Sequence, residues 1–265
     1  MARSRPKTKP VTVLERSARA GGPEIRARPF SAEVDGGTRI HNLLSPAEQA
    51  DLAEIATVLE FRAAGATIYS EGEDAHFLYA VATGFVRVSR HEETGERRII
   101  AFMWAGDLLG LAERGRYVNS AETGAATTLY RFPLRALRRL LLRKPQLQLH
   151  LLVKAAHDLR MAQRQLIVLG YQDASRRLAS LLLDLSQHHE FFDTENRILR
   201  LPMTRFDIAD YLGMAPETVA RAFARLEREG VVSRVSPKTV RIPDLEALMP
   251  TARAARIEDP PRRTE

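Results

Sequence analysis

The sequence contains no cysteine among its 265 residues. This absence excludes disulfide bonds, iron–sulfur clusters held by cysteine and switches based on thiol oxidation. The chain also lacks an apolar run of about 20 residues, the length that a membrane-spanning helix needs. Its basic N-terminus is not followed by the apolar segment of a signal peptide. We therefore expect a cytoplasmic protein with no membrane partner.

Catalytic motifs are missing as well. The sequence has no nucleophile elbow, no phosphate-binding loop and no cluster of metal ligands, so neither catalysis nor a metal site is expected. What the chain does have is positive charge, because 40 Lys and Arg residues outnumber 33 Asp and Glu residues. The net charge of +7 favours a polyanionic partner, although it does not distinguish DNA from RNA or an anionic surface.

The most informative local pattern is a pair of short helices within residues 201–228. Thr204 can cap the first helix, with Asp207 three residues later as in a capping box. Gly213 ends this helix, and Pro216 suits the first position of the next one. The pattern predicts two helices joined by a tight turn.

The second of these helices separates its residues onto two faces. Its apolar face carries Val219, Ala222, Phe223 and Leu226. The opposite face carries Glu217, Ala220, Arg221, Ala224, Arg225 and Arg228. A helix of this kind fits the major groove of DNA. A single charged helix is more often an ordinary solvated one, but the capped helix and glycine turn before it favour a helix-turn-helix.

The N-terminal half has a different organisation. Residues 1–30 and 250–265 are rich in charge, proline or alanine, and we expect both to be disordered. Residues 31–144 open with a helix capped by Ser45 and continue as short β-rich runs broken by glycine. Such runs predict an antiparallel barrel or sandwich, with turns at Gly72 and Gly84.

A long helix is predicted at residues 145–170, after the β-rich region. A narrow stripe on one face suits a seam between two helices: Leu152, Ala156, Leu159, Gln163 and Leu166. Lys154 lies on the opposite face. Periodicity alone leaves open a helix that packs only on its own domain.

The remaining segments complete a second domain at residues 171–249. Residues 170–172 are expected to break the long helix and to form the hinge between the two domains, and Asp173 can cap a following helix. After the helix-turn-helix, two β-branched runs flank residues 236–239 and predict a β-hairpin wing.

These motifs resemble a known family. MTRFDIADYLG followed by ETVAR resembles the helix-turn-helix of the CRP/FNR family of bacterial transcription regulators, and is most similar to the FNR/FixK branch. EGEDAHFLYAVATGFVRV resembles the β-roll of cyclic-nucleotide-binding-like domains. The resemblance covers residues 43–245. It implies an α+β fold with an N-terminal β-roll (a double-stranded jelly roll), a long dimerisation helix and a C-terminal winged helix-turn-helix. It also implies a homodimeric activator that contacts RNA polymerase.

The resemblance also assigns residues at the DNA. Glu217 and Arg221 match the FNR/FixK pattern, whereas Ala220 replaces a serine and Pro216 stands where the CRP branch has another arginine. A TTGA half-site is therefore expected, with Arg221 reading guanine and Glu217 accepting a hydrogen bond from cytosine while orienting Arg221. Ala220 would pack on a thymine methyl group. Phosphate contacts are expected from Arg205, Thr218, Arg225, Arg228 and Lys238.

The signal is less clear from the sequence. In the region resembling the phosphate-binding cassette, residues 106–124, Leu111 replaces the expected glutamate and Asn119-Ser120 replaces Arg-Ser. Cyclic nucleotide control is therefore not expected, and no cofactor is predicted. Haem stays open, with seven candidate ligands: His41, His76, His91, His150, His157, His188 and His189.

The simplest hypothesis is a FixK-like regulator, controlled by its abundance and tied to low-oxygen or redox-linked gene expression. Two alternatives stay open. One is a regulator gated by haem, nitric oxide or a cyclic nucleotide. The other is a nucleotide-binding regulatory module for an enzyme.

Overall fold

The computed structural model describes residues 13–27, 42–91, 97–171, 173–188 and 190–252. His41, Gln172 and His189, and the parts of the predicted disordered segments at residues 1–12, 28–30 and 253–265, lie outside the described residues. The chain divides into two compact units, Met1–His157 and Asp158–Glu265. The boundary falls within one long helix.

The first unit combines short antiparallel strands with two helices. In chain order these elements are β1 (Val13–Ser17), a 3-10 turn (Ala18–Ala20), α1 (Pro46–Ile55), β2 (Thr57–Phe61), β3 (Thr67–Tyr69), β4 (Phe77–Thr83), β5 (Phe85–His91), β6 (Arg97–Trp104), β7 (Leu108–Leu109), β8 (Ala112–Glu113), β9 (Arg116–Tyr117), β10 (Ser120–Thr123), β11 (Thr127–Pro133) and α2 (Leu134–Arg143). The long helix α3 (Pro145–Leu169) follows.

Two sheets form the predicted roll. One has the strand order β1-β2-β11-β4-β7, the other β3-β10-β5-β6, and β8 pairs with β9 as a separate hairpin. All the strand pairs are antiparallel. Gly84 joins β4 to β5 with a φ of +77°, and a side chain there would collide with the carbonyl of Ala126. The predicted turns at Gly72 and Gly84 are therefore confirmed, since both have positive φ.

The central strands of the first sheet are buried on both faces. Because side chains alternate along a strand, Leu59, Val81 and Leu129 point into the roll, whereas Val58 and Ala80 point to the other side. There they pack with apolar side chains of the helices: Leu52, Leu137, Leu140 and Leu147. This double burial explains the nearly continuous apolar character of β4.

The N-terminal segment differs from expectation. β1 pairs with β2 over its whole length, from Val13↔Phe61 to Ser17↔Thr57. Ile25 and Ala27 are buried in the core beside the helices. The expectation of a disordered arm is therefore wrong for residues 13–27. Backbone pairing, which composition does not report, holds a strand whose five side chains are all exposed.

The long helix has the predicted bounds, and its two faces have different surroundings. Leu152, Leu159 and Leu166 are 60–70% exposed, and Ala156 and Gln163 are exposed as well. The opposite face at Lys154 is fully buried in the first unit. Lys154 Nζ donates to Asp107 Oδ1 at 2.8 Å, and Asp107 Oδ2 accepts from the backbone N–H of Trp104 at 2.9 Å. A buried ion pair therefore joins α3 to the roll.

The second unit contains the predicted helix-turn-helix and wing. Its elements are α4 (Ala174–Leu185), β12 (Phe192–Asp193), β13 (Ile198–Arg200), α5 (Arg205–Tyr211), α6 (Pro216–Arg228), β14 (Ser233–Ser236), β15 (Thr239–Arg241) and α7 (Leu245–Ala252). Asp173 caps α4 as expected, by accepting from Ser175 N at 2.7 Å. The wing is larger than predicted, because β12 and β13 extend the hairpin to a sheet ordered β12-β13-β15-β14.

The fold class is confirmed, but several elements were not predicted, among them α2, β12, β13 and α7. The helix α2 was not separated from the roll, although its leucines recur at helical spacing. β12 and β13 lie in a stretch for which no strand was predicted. α7 extends to Ala252, so the predicted disordered tail does not begin at residue 250.

The buried ion pair gives a test of the fold. Replacing Lys154 with methionine should lower the free energy of unfolding by about 3 kcal/mol, because Asp107 would lose its buried cation. Chemical denaturation measures this change. Lys144→Met is the matched control, since Lys144 binds Asp51 at the same 2.8 Å but is 47% exposed. Its effect should stay below about 1 kcal/mol. Equal losses of unfolding free energy in Lys154→Met and Lys144→Met would show that burial does not make the Lys154–Asp107 pair harder to lose.

Candidate functional site

The first helix of the helix-turn-helix begins with a complete capping box. Asp207 N donates to Thr204 Oγ1 at 3.1 Å, and Thr204 N donates to Asp207 Oδ2 at 3.0 Å. Two backbone N–H groups at the start of α5 are thereby satisfied. The predicted Thr204–Asp207 cap is confirmed.

The turn also has the predicted chemistry. Gly213 adopts a φ of +61°, which a residue without a side chain adopts at little cost. Pro216 is the first residue of α6, and Ala215 supplies no side-chain cap. Arg177 on α4 supports the turn, because its Nη1 donates to the Leu212 carbonyl at 3.0 Å. The start of α6 therefore depends on packing and on its proline.

The apolar face of α6 is buried, as predicted. Val219, Ala222, Phe223 and Leu226 are each at most 3% exposed, and the helix packs against α4 and α5. Helical geometry then directs the opposite face to solvent. That face presents Glu217, Arg221, Arg225 and Arg228, all exposed, with Ala220 and Thr218 half-buried.

The predicted base-reading residues lie together at the N-terminal part of α6. Arg221 Nη2 donates to Thr218 Oγ1 at 3.1 Å, one helical turn away. Within the described part of the chain, the expected Glu217–Arg221 contact is not formed. Thr218 was expected to contact phosphate; in this structure it orients the arginine.

The predicted phosphate contacts have different surroundings. Arg228 and Lys238 are exposed, on α6 and in the wing turn, whereas Arg205 is half-buried at the start of α5. Arg225 is exposed but already forms ion pairs with Asp173 and Glu229. Among the predicted phosphate contacts, Arg225 is therefore already bound to carboxylates, whereas Arg228 is exposed to solvent.

A contact missed in the sequence ties the wing to α6. Arg234 in β14 binds Glu227 on α6, with its Nε donating to Oε2 at 2.7 Å and its backbone N to Oε1 at 2.9 Å. The Arg234 side-chain hydrogen bond is the main cause of a lowered pKa at Glu227. Arg234 therefore positions the wing. The two residues are seven positions apart with a turn between them, so no local pattern indicated their contact.

The interior of the roll is filled by the chain's own tyrosines. Tyr69 stacks on Tyr117, with ring centroids 4.1 Å apart, and on Tyr79, at 5.6 Å. All three are at most 5% exposed. Burial raises the pKa of Tyr69 and of Tyr79 well above the ordinary value, which keeps both hydroxyls neutral.

The cassette region serves this tyrosine cluster. Tyr69 donates to Asn119 Oδ1 at 3.0 Å and accepts from Gly110 N at 3.0 Å. Ser120 Oγ accepts from Glu71 N at 2.9 Å. Leu111, where the resemblance would place a glutamate, is 68% exposed. The polar side chains of Asn119 and Ser120 are thus used within the roll.

His150 is one of the candidate haem ligands. His150 Nδ1 lies 3.0 Å from Glu48 Oε1, in a contact between α3 and α1. His41 and His189 lie outside the described residues. Among the residues that the structure describes, no group of three or more His, Cys, Asp or Glu could hold a metal ion. In the same residues, no helix is both long and apolar enough to cross a membrane.

Both regions match known domain families. Residues 59–144 match the cyclic nucleotide-binding domain, and residues 176–250 match the Crp-like helix-turn-helix domain. The two matches cover the roll with α2 and the second unit from α4 to α7.

Whole-chain relatives are transcription regulators. The chain is 33% identical to the transcriptional activatory protein AadR of Rhodopseudomonas palustris over 208 residues, which is 78% of this chain and 86% of AadR. It is 32% identical to the nitrogen fixation regulation protein FixK of Rhizobium meliloti over 223 residues, 84% of this chain and 95% of that protein. Among solved structures, FixK2 from Bradyrhizobium japonicum superimposes with a TM-score of 0.68 at 29% identity, covering 74% of this chain and 97% of FixK2.

Proposed function

Since the chain belongs to the CRP/FNR family of DNA-binding transcription regulators, we propose that it binds an inverted repeat as a homodimer and activates transcription. Its relatives of this family are regulators rather than enzymes. An activator role follows the names of AadR and of the activator FnrA of Stutzerimonas stutzeri. Activation implies a contact with RNA polymerase, and action on bacterial DNA implies a cytoplasmic location.

One observation carries this proposal: α6 buries its apolar face and exposes Glu217 and Arg221 side by side on the other. An arginine at this position can donate two hydrogen bonds to guanine O6 and N7, and a glutamate can accept one from a cytosine amine. Ala220 beside them offers a methyl group to thymine. These residues favour a TTGA half-site. Arg228 and Lys238 are well placed by their exposure and charge to bind phosphates, and half-buried Arg205 adds a third positive charge.

The exposed stripe on α3 supports the dimer. Leu152, Leu159 and Leu166 leave most of their surface in water, with Ala156 and Gln163 between them. A contiguous apolar stripe of this kind is typical of a surface covered by another chain. A second copy of α3 would bury it and pair the two recognition helices. Two such helices, roughly 34 Å apart, read the halves of an inverted repeat.

Control by abundance, without a small-molecule ligand, is the regulation we propose. The stacked tyrosines occupy the roll interior, and Asn119 binds Tyr69 instead of a phosphate. Asn119 stands at the position where the family resemblance places the arginine that would pair with a buried cyclic phosphate. The names of two relatives, the anaerobic regulatory proteins of Pasteurella multocida and Haemophilus influenzae, favour a link to low oxygen. Gating by haem, nitric oxide or a cyclic nucleotide is the alternative.

Base reading by Arg221 can be tested directly. Arg221→Ala should cost about 1–3 kcal/mol on a TTGA inverted repeat and remove the preference for guanine at one position. Gel-shift titrations with that base pair varied measure both effects. Arg228→Ala is the control, because loss of a phosphate contact should weaken all sequences alike. A uniform loss in Arg221→Ala would show that Arg221 contacts only phosphate.

The proposed helix–helix seam on α3 predicts that the protein is a dimer. Leu159→Glu should convert the dimer to a monomer, since it places two carboxylates against each other in an apolar seam. Affinity for the full inverted repeat should then fall on the order of 100-fold, because the two half-sites no longer bind as one unit. Analytical ultracentrifugation measures the mass. Leu142→Glu on α2, where the leucine is 72% exposed, is the control and should remain dimeric. A dimeric Leu159→Glu variant would contradict this seam.

The proposed control without a small-molecule ligand gives a further prediction. Cyclic AMP at about 1 mM should leave the unfolding temperature and the DNA affinity unchanged, because a ligand bound by the native state would stabilise it. The same result is expected with haem. Differential scanning fluorimetry and DNA titration check both compounds. A protein that binds DNA tightly only with one of them present would be a ligand-gated regulator.

A further inference from the structure

An open groove runs between the first turn of α4 and the exposed face of α6. Its lining residues are Asp173, Ala174, Ser175, Thr218, Arg221, Ala222, Arg225 and Arg228. Three of them are the arginines expected to meet DNA. Asp173 is the acidic residue in this lining. A negative charge therefore lies on the surface that we propose for a polyanion.

Asp173 uses its two carboxylate oxygens for different partners. Oδ1 accepts from Ser175 N at 2.7 Å and caps α4. Oδ2 accepts from Arg225 Nη1 at 2.9 Å. Capping needs an oxygen but not a charge, since asparagine caps helices as well as aspartate does. The negative charge is thus available for its second role, the hold on Arg225.

Arg225 is held from two sides. Its Nε also donates to Glu229 Oε1 at 2.8 Å, one turn further along α6. The side chain is nevertheless 51% exposed, and Asp173 is 35% exposed. Ion pairs this accessible to water are weak, so a phosphate can compete with them. Arg221 and Arg228 line the same groove, and among the described residues neither has a carboxylate partner.

We propose that Asp173 competes with DNA phosphate for Arg225 and so limits the sequence-independent part of DNA affinity. In the free protein, the carboxylate occupies the guanidinium. When DNA binds, a phosphate must displace Asp173 or leave Arg225 unused. Asp173 is accordingly a positioning residue that does not touch a base. This inference rests on the proposed role of α6 at the DNA.

The charge of Asp173 should therefore affect salt dependence and leave base preference unchanged. Each additional phosphate contact steepens the slope of log K against log salt by about 0.9. An Arg225 released from Asp173 would add one such contact per subunit. The ratio of affinities for a TTGA repeat and for unrelated DNA should not change, because phosphates are present in both.

The test compares Asp173→Asn with the wild-type chain on two duplexes, a TTGA inverted repeat and a scrambled one. We expect roughly two- to fivefold tighter binding to both duplexes and a salt slope steeper by about 0.9 per subunit. Asp244→Asn is the matched control, since exposed Asp244 also accepts a backbone N–H, from Glu246 at 2.8 Å. It removes the same charge outside the groove and should leave affinity and slope close to wild type.

A second comparison, made in protein that lacks Arg225, tests whether the effect of Asp173 depends on that arginine. In Arg225→Gln protein, adding Asp173→Asn should produce no further gain, because the arginine to be released is missing. The proposal is overturned if Asp173→Asn behaves like Asp244→Asn, or if its gain persists without Arg225. Thermal unfolding checks the α4 cap, and Asp173→Ser, which also caps, replaces the asparagine variant if that variant unfolds early.

The inference about Asp173 and the proposal that α6 reads bases can fail independently of each other. If Arg221→Ala keeps its guanine preference, base reading by α6 fails whatever Asp173 does. If Arg221→Ala loses that preference and Asp173→Asn leaves the salt slope unchanged, only the inference about Asp173 fails.

Discussion

One-sided burial of α6 determines what the second unit can present to DNA. Val219, Ala222, Phe223 and Leu226 pack against α4 and α5, so the helix cannot rotate without exposing them. Because 3.6 residues complete one turn, the orientation of the buried face fixes the direction in which each remaining side chain of α6 points. Glu217 and Arg221 thus face outward as a consequence of the core. The Thr204–Asp207 cap and the Arg177 contact at the turn hold the helix that α6 packs against.

Patterns of local origin were predictable from the sequence, and contacts between distant residues were not. The bounds of α3, the caps at Ser45, Thr204 and Asp173 and the buried face of α6 all depend on residues within a few positions of one another. In contrast, the Lys154–Asp107 pair joins residues 47 positions apart, and β1 is held by backbone pairing that leaves no apolar signature. The base-reading roles of Glu217 and Arg221 come from family resemblance, and they remain predictions.

The roll and the helix-turn-helix use their polar residues in different ways. In the roll, Tyr69 and Asn119 bind each other inside the fold, which leaves the cassette committed to internal contacts. On the face of α6, Arg221 and Arg228 remain exposed to solvent. These internal contacts support the proposal that the roll works without a small-molecule ligand. The roll also holds α3 in place, through the buried ion pair between Lys154 and Asp107.

The strand β1 determines how far the chain can be shortened from its N-terminus. It covers the outer edge of β2, and its exposed side chains include Glu15 and Arg16, which pair with Arg131 and Glu60. A polypeptide started at Asn42 would leave the backbone groups of β2 without partners along that edge. Open edges of this kind recruit strands from neighbouring molecules, and charges on an edge discourage such recruitment. The short N-terminal strand therefore protects the roll from self-association, and truncated versions need a substitute for it.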